Sequence, residues 1–159
     1  MSILEKKVEA MMQLCVADNE KEREKIREEI RYYLMQRHRE SMDPEQEIRR
    51  ILLELGAPDH LVGHPYVIRA ILLVISDRLY INSITFGLYP QLAVEFDTTP
   101  ARVERAIRHL IEVTWARGDL DILEKYFGNT VSASRGKPTN GEFIARMANV
   151  VKANVQRAA

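Results

Sequence analysis

The stretch from Asp97 to Trp115, DTTPARVERAIRHLIEVTW, constrains the fold of this chain more than any other. Thr99 has a side-chain oxygen suited to capping free backbone N–H groups, and Pro100 suits a first helical position, where a missing N–H costs nothing. At about 100° per residue, Val103, Ile107, Leu110, Ile111 and Thr114 fall on one side of a helix. That side is apolar and needs a core to cover it. Arg102, Arg105, Arg108 and His109 fall on the other side with Glu112, and Glu104 sits at the margin. The first half of this helix therefore presents guanidinium groups outward.

The residues before it extend the pattern. Leu92-Ala93-Val94-Glu95-Phe96 reads as the end of a short helix, and Asp97-Thr98-Thr99 as a tight turn. Two helices joined by a short turn, the second basic on its outer face, form the helix-turn-helix pattern. Ala93 is small where the two helices would touch, and Val103 and Ala106 suit the return contact. Asp97 occupies the turn position that favours a left-handed backbone, which Asp tolerates better than most residues.

The remaining segments also read as helices. Ser2 to Ala17 places Ile3, Leu4, Val8, Met11, Met12 and Cys15 on one face, so Cys15 is expected to be a small buried side chain. Asp18-Asn19 interrupts, and Glu20 to Glu40 follows, rich in paired charges and striped by Ile26, Ile30, Tyr33 and Leu34. Ser41 to Pro44 breaks the chain again, with Asp43 as cap and Pro44 at the first position. This break divides residues 1–43, a helical extension for dimerisation or partner binding, from residues 44–159. A helix striped by Ile48, Ile51, Leu52 and Leu55 ends at Gly56 and Pro58. Pro65 to Tyr80 reads as one long core helix, followed by a stretch from Ser83 to Leu88 that Pro90 interrupts. Asp119 to Phe127 is a short helix with Leu120, Leu123 and Phe127 inward. Asn129 to Lys137 is a polar loop, and Pro138-Thr139-Asn140 starts the last helix, striped by Phe143, Ile144, Met147, Ala148 and Val151. The expected fold is all-α: a bundle of about six helices containing a helix-turn-helix, plus the N-terminal extension.

Composition narrows the function. The chain is neutral overall, yet from Thr98 onward ten lysines and arginines face six acids, so basic charge gathers around the candidate helix. A single cysteine excludes an internal disulfide and fits a reducing cytoplasm. No apolar run approaches the roughly 20 residues of a membrane span. No nucleophile elbow, phosphate loop, dinucleotide fingerprint or zinc spacing occurs. His60 and His64 share an i, i+4 spacing, but no third ligand follows, so neither metal nor cofactor is expected and the chain does not read as an enzyme.

The residues also carry a resemblance. Thr98-Thr99, Arg102-Val103-Glu104-Arg105-Ala106-Ile107-Arg108-His109 and Ile111-Glu112-Val113 resemble the recognition-helix region of the stage 0 sporulation protein A family. The likeness includes Ile84-Thr85 and Leu88-Tyr89-Pro90 before it. After it come Trp115, Arg117-Gly118, Phe127-Gly128, Thr130-Val131-Ser132, Lys137-Pro138-Thr139-Asn140 and Glu142-Phe143-Ile144-Ala145. It spans about Glu47 to Val151 and concerns the C-terminal DNA-binding domain of the sporulation master response regulator. The residues before it show helical periodicity and no receiver-like strand pattern, so a receiver domain is not expected there.

The resemblance and the motif together assign roles. Arg102, Glu104 and Arg105 lie near the start of the second helix, the end that enters the major groove. Arginine there suits guanine O6 and N7, and Glu104 suits cytosine N4. Arg108 and His109 suit phosphates, as do Thr98, Arg135 and Lys137. Ala101 stands where the family tends to carry serine. The resemblance implies double-stranded DNA with a box of the type TGTCGAA as target and the sigma subunit of RNA polymerase as a further partner, with Gly118 to Thr130 lined up with the activating region. A homodimer is expected through the N-terminal helices. The competing reading is a protein-interaction module that modulates a related regulator or its sites.

Overall fold

The computed structural model describes residues 3–17, 19–40, 42–128 and 136–158. Among them there are helices and turns but no strand. The elements are α1 (Ile3–Val16), α2 (Glu20–Glu40), α3 (Pro44–Glu54), α4 (Gly63–Ser76), α5 (Leu79–Asn82), a π-helical turn (Ile84–Leu88), α6 (Tyr89–Glu95), α7 (Pro100–Arg117), α8 (Leu120–Phe127) and α9 (Asn140–Ala158). No helix among the described residues is long and apolar enough to cross a membrane.

The chain divides into two compact units, residues 1–42 with 155–159, and residues 43–154. In the first, α1 and α2 pack as a hairpin around Ala10, Ala17 and Ile26, with Leu14 and Ile30 against them. Asn19 starts α2 by accepting from the Glu22 N–H at 2.8 Å; Asp18 and Ser41 lie outside the described residues. The buried face of α1 is not the expected one. Val8, Met11 and Met12 are half exposed or more, and Cys15 is exposed. The alanines let two helices approach closely, so the contact follows the small residues and leaves the larger apolar stripe outside.

In the second unit α4 is the central element, packed against α3, α5, α6 and α7. Val67, Ile68, Ala70, Ile71 and Val74 are buried on it. α3 contributes Ile48, Ile51 and Leu52, and its C-cap residue Leu55 joins them, all fully buried. Each such side chain is worth ~1.5–3 kcal/mol of burial. Asp43 caps α3 by accepting from the Glu45 N–H, and Gly56, at φ 77°, takes the left-handed position that closes it. Phe143, Ile144, Met147, Ala148 and Val151 bury one face of α9. Trp115, partly buried, packs edge-on to the core rings of Phe127 and Phe143, with ring centroids 5.0 and 6.1 Å away.

Three local expectations need correction. The long helix stops at Ser76, because Asp77 is extended and its carboxylate accepts from the Leu79 N–H, which starts α5 as a separate turn. Pro90 does not break the chain. The π-helical turn before it carries the Leu88 N–H to the Ser83 carbonyl and the Tyr89 N–H to the Ile84 carbonyl, and Pro90 then sits in the first turn of α6, where its missing N–H costs nothing. Leu120 is 78% exposed rather than inward. Asp119 caps α8 through the Asp121 and Ile122 N–H groups, a phase that turns Leu123, Tyr126 and Phe127 to the core instead.

Candidate nucleic-acid interface

The helix expected from Pro100 spans Pro100–Arg117, and its buried residues are Val103, Ile107, Leu110, Ile111 and Thr114. The Thr99 hydroxyl accepts from the Arg102 N–H at 3.3 Å, as a cap should. Thr114, the one hydroxyl on the buried face, is satisfied by donating to the Leu110 carbonyl at 2.7 Å. The turn before α7 is Phe96 to Thr99. Asp97 takes φ 49° in it, and the Thr98 N–H donates to the Ala93 carbonyl at 2.9 Å.

Two contacts fix this turn to α4. The Arg69 guanidinium grips the Glu95 carboxylate with two bonds, Nε to Oε2 at 2.6 Å and Nη2 to Oε1 at 3.0 Å. The Tyr66 and Phe96 rings lie 4.7 Å apart. The start of α4 meets α7 closely: a Cβ on Gly63 would stand 2.2 Å from the Ala106 carbonyl oxygen. The orientation of α7 is therefore set by fork geometry, ring contact and a backbone approach that only glycine permits.

The outer face of α7 divides into two halves. In the first, Arg102, Glu104 and Arg105 are exposed. The Arg105 Nε donates to its own helix at the Ala101 carbonyl, 3.3 Å away. Among the described residues, no side chain pairs with the Arg102 guanidinium or the Glu104 carboxylate. In the second half, His109 is exposed and Arg108 is half-buried. Arg108 is engaged: Nη1 donates to the Pro138 carbonyl at 2.8 Å and Nε to Glu112 Oε1 at 3.2 Å. Lys137 Nζ lies 3.7 Å from the same Glu112 oxygen. The structure thus brings Arg108 and Lys137 together around Glu112. Arg135 lies outside the described residues, as does the loop 129–135.

Sequence reasoning missed Asn140. Its side chain is buried, with Nδ2 donating to the Tyr89 hydroxyl at 3.1 Å and to the Glu104 carbonyl at 3.0 Å. Burial raises the phenol pKa of Tyr89. Asn140 thereby joins α6, α7 and α9 beneath the exposed face. Beside it the last helix opens with a reciprocal box, the Thr139 N–H to Glu142 Oε2 at 2.9 Å and the Glu142 N–H to Thr139 Oγ1 at 3.2 Å. The sequence signal was the Thr139–Glu142 spacing.

His64 is 8% exposed while His60 is exposed, so they do not share an open site. Burial, with Arg49 nearby, lowers the His64 pKa.

This arrangement, a clamped turn and a capped helix with a free cationic start, lies within a matched family region. The chain matches the family described as sporulation initiation factor Spo0A, C terminal, over residues 48–151, more than half its length. The chain belongs to this family. The Spo0A C-terminal domain is a helical DNA-binding fold, and the match holds most of α3, all of α4 to α8 and most of α9. Each residue proposed to meet DNA, from Thr98 to Lys137, falls inside it.

Proposed function

We propose that this chain is a sequence-specific transcription regulator that reads a TGTCGAA-type box with α7. The supporting observation is the exposed first half of α7, where Arg102 and Glu104 have no partner among the described residues while the opposite face is held in the core. A side chain committed to an internal ion pair must break it to reach a base; these two need not. Arg102 and Arg105 then reach guanine edges and Glu104 accepts from cytosine. Thr98, His109 and Arg135 take phosphates and set register, and Arg108 and Lys137 join them to the extent that Glu112 releases them.

The test is fluorescence anisotropy with a box duplex and a scrambled one, for the parent and Arg102→Ala. Box-selective binding that falls by about 1–3 kcal/mol in the variant supports the assignment. Equal binding of both duplexes by the parent overturns it.

Two partner readings accompany this one. α8, within the stretch lined up with the activating region, is proposed to meet the sigma subunit of RNA polymerase. A homodimer is proposed through the hairpin, supported by the exposed Val8, Met11, Met12 and Val16 on α1. Sedimentation of a monomer at micromolar concentration would count against the dimer. Those same side chains favour the second reading, a module that modulates a related regulator by protein contact. Deletion of residues 1–42 with box binding and transcriptional effect unchanged would remove its support.

A further inference from the structure

Glu112 holds two of the cations that the proposed function assigns to phosphates. Its Oε1 lies 3.2 Å from Arg108 Nε and 3.7 Å from Lys137 Nζ. The three side chains are each about a third to a half exposed, at 31%, 46% and 44% for Arg108, Glu112 and Lys137. Partners that face solvent this much contribute little to folding. Arg108 has an anchor besides, the Pro138 carbonyl at 2.8 Å. Glu112 is therefore not required to hold Arg108 in place, and its charge is the part of the arrangement that stability does not explain.

Charge on this face has a direct consequence for a polyanion. Each cation that neutralises a phosphate releases a counterion and adds ~0.9 to the slope of log affinity against log salt. A carboxylate already beside two cations takes the place of a phosphate for both and repels the incoming backbone. The first half of α7 has no such group: the Glu104 carboxylate has no cation partner among the described residues.

We propose that Glu112 is a built-in counter-ion. It withholds Arg108 and Lys137 from the phosphate backbone and so lowers the affinity of this domain for DNA of any sequence, leaving box selection to Arg102, Glu104 and Arg105. This rests on the reading of α7 as the DNA-facing helix.

The experiment is a salt titration of the full chain and of Glu112→Gln with box and scrambled duplexes. Glutamine keeps an oxygen for the Arg108 Nε and removes only the charge. Glu112→Gln is expected to bind both duplexes more tightly, to keep the box-to-scrambled ratio, and to steepen the salt slope by ~0.9 for each cation released. Between about 50 and 200 mM salt, its advantage over the parent then shrinks by roughly tenfold if both cations are released. Adding Lys137→Gln should remove one cation's share of the extra slope. Thermal unfolding of each variant checks that the domain is intact.

An unchanged slope, or weaker binding by Glu112→Gln, overturns the inference and leaves box reading standing when the parent prefers the box. A parent without box preference whose Glu112→Gln slope steepens keeps the counter-ion role and overturns base reading. A parent that binds neither duplex overturns both.

Discussion

The Asn140 side-chain amide donates to the Glu104 carbonyl at 3.0 Å, so the start of α9 is bonded to the turn of α7 that carries the proposed base reader. The same nitrogen donates to the Tyr89 hydroxyl, while Oδ1 is buried without a partner among the described residues. Every hydrogen of the amide is used, and both partners accept. A side chain at this position must donate. Asn140→Ala is expected to destabilise by ~1–3 kcal/mol, the cost of stranding a buried polar contact. Asn140→Asp should be worse near neutral pH, because a carboxylate would face the Glu104 carbonyl oxygen with nothing to donate. Urea unfolding of the two variants gives the order. Asp tolerated as well as Asn would show that the bond to Glu104 carries no weight.

Gly63 is a case where helix propensity predicts the wrong sign. Alanine is ordinarily favoured over glycine in a helix by about 1 kcal/mol. Here the added Cβ would stand 2.2 Å from the Ala106 oxygen and 2.7 Å from its carbon, both backbone atoms that cannot rotate away. α4 and α7 would have to separate, and overpacking of this kind costs ~1–3 kcal/mol. Gly63→Ala should therefore lower the thermal midpoint and weaken box binding together, since the displaced element is α7. A thermal melt and an anisotropy titration on one sample check both.

Much of this was legible in local sequence. Thr99 and Pro100 mark the start of α7, and its buried set is the one that periodicity picks out, because one helix face meets one core. Asp97 was legible for the same local reason: few residues accept φ 49°. What escaped reading depends on distant pairing. Arg108 looks like any exposed basic residue until the Pro138 carbonyl, 30 positions away, takes one of its hydrogens. Asn140 looks like a helix-start residue until Glu104, 36 positions away, comes beside it. On α1 the periodicity was right, but the face was wrong, since Ala10 and Ala17 weigh little on any hydropathy count yet admit the closest approach.

The three partners of Glu54 bear on acid stability. Its carboxylate accepts from Lys125 Nζ at 2.8 Å, Tyr126 Oη at 2.6 Å and Arg50 Nη1 at 3.0 Å, tying α3 to α8. The Lys125 bond first, then the Tyr126 bond, hold its pKa at about 2, against an ordinary 4.5. The folded value is the lower one, so the unfolded chain binds the proton more readily. The stabilisation is complete above about 4.5 and is lost as pH falls toward about 2. Glu47 works in the same direction, its pKa lowered chiefly by the Arg50 hydrogen bond. In Glu54→Gln the decline of the urea midpoint over this range should be shallower than in the parent. An identical decline would place the acid sensitivity elsewhere.

Asp97 offers a test in which the turn alone is altered. Its φ of 49° lies in the left-handed region, where an ordinary side chain costs roughly 1–2 kcal/mol. Aspartate reduces that cost, and glycine removes it while adding freedom to the unfolded chain, which opposes the gain. Asp97→Gly should therefore change stability by no more than ~1 kcal/mol. Asp97→Val, β-branched at the same angle, should lose clearly more. Because the turn also sets α7 against α4 through Phe96 and Glu95, the valine variant should weaken box binding beyond what its lower stability explains, measured well below its melting temperature. If valine is accepted with stability and binding intact, the left-handed turn does not position the helix, and the Arg69–Glu95 fork, the Tyr66–Phe96 ring contact and the Gly63 approach are left to do so.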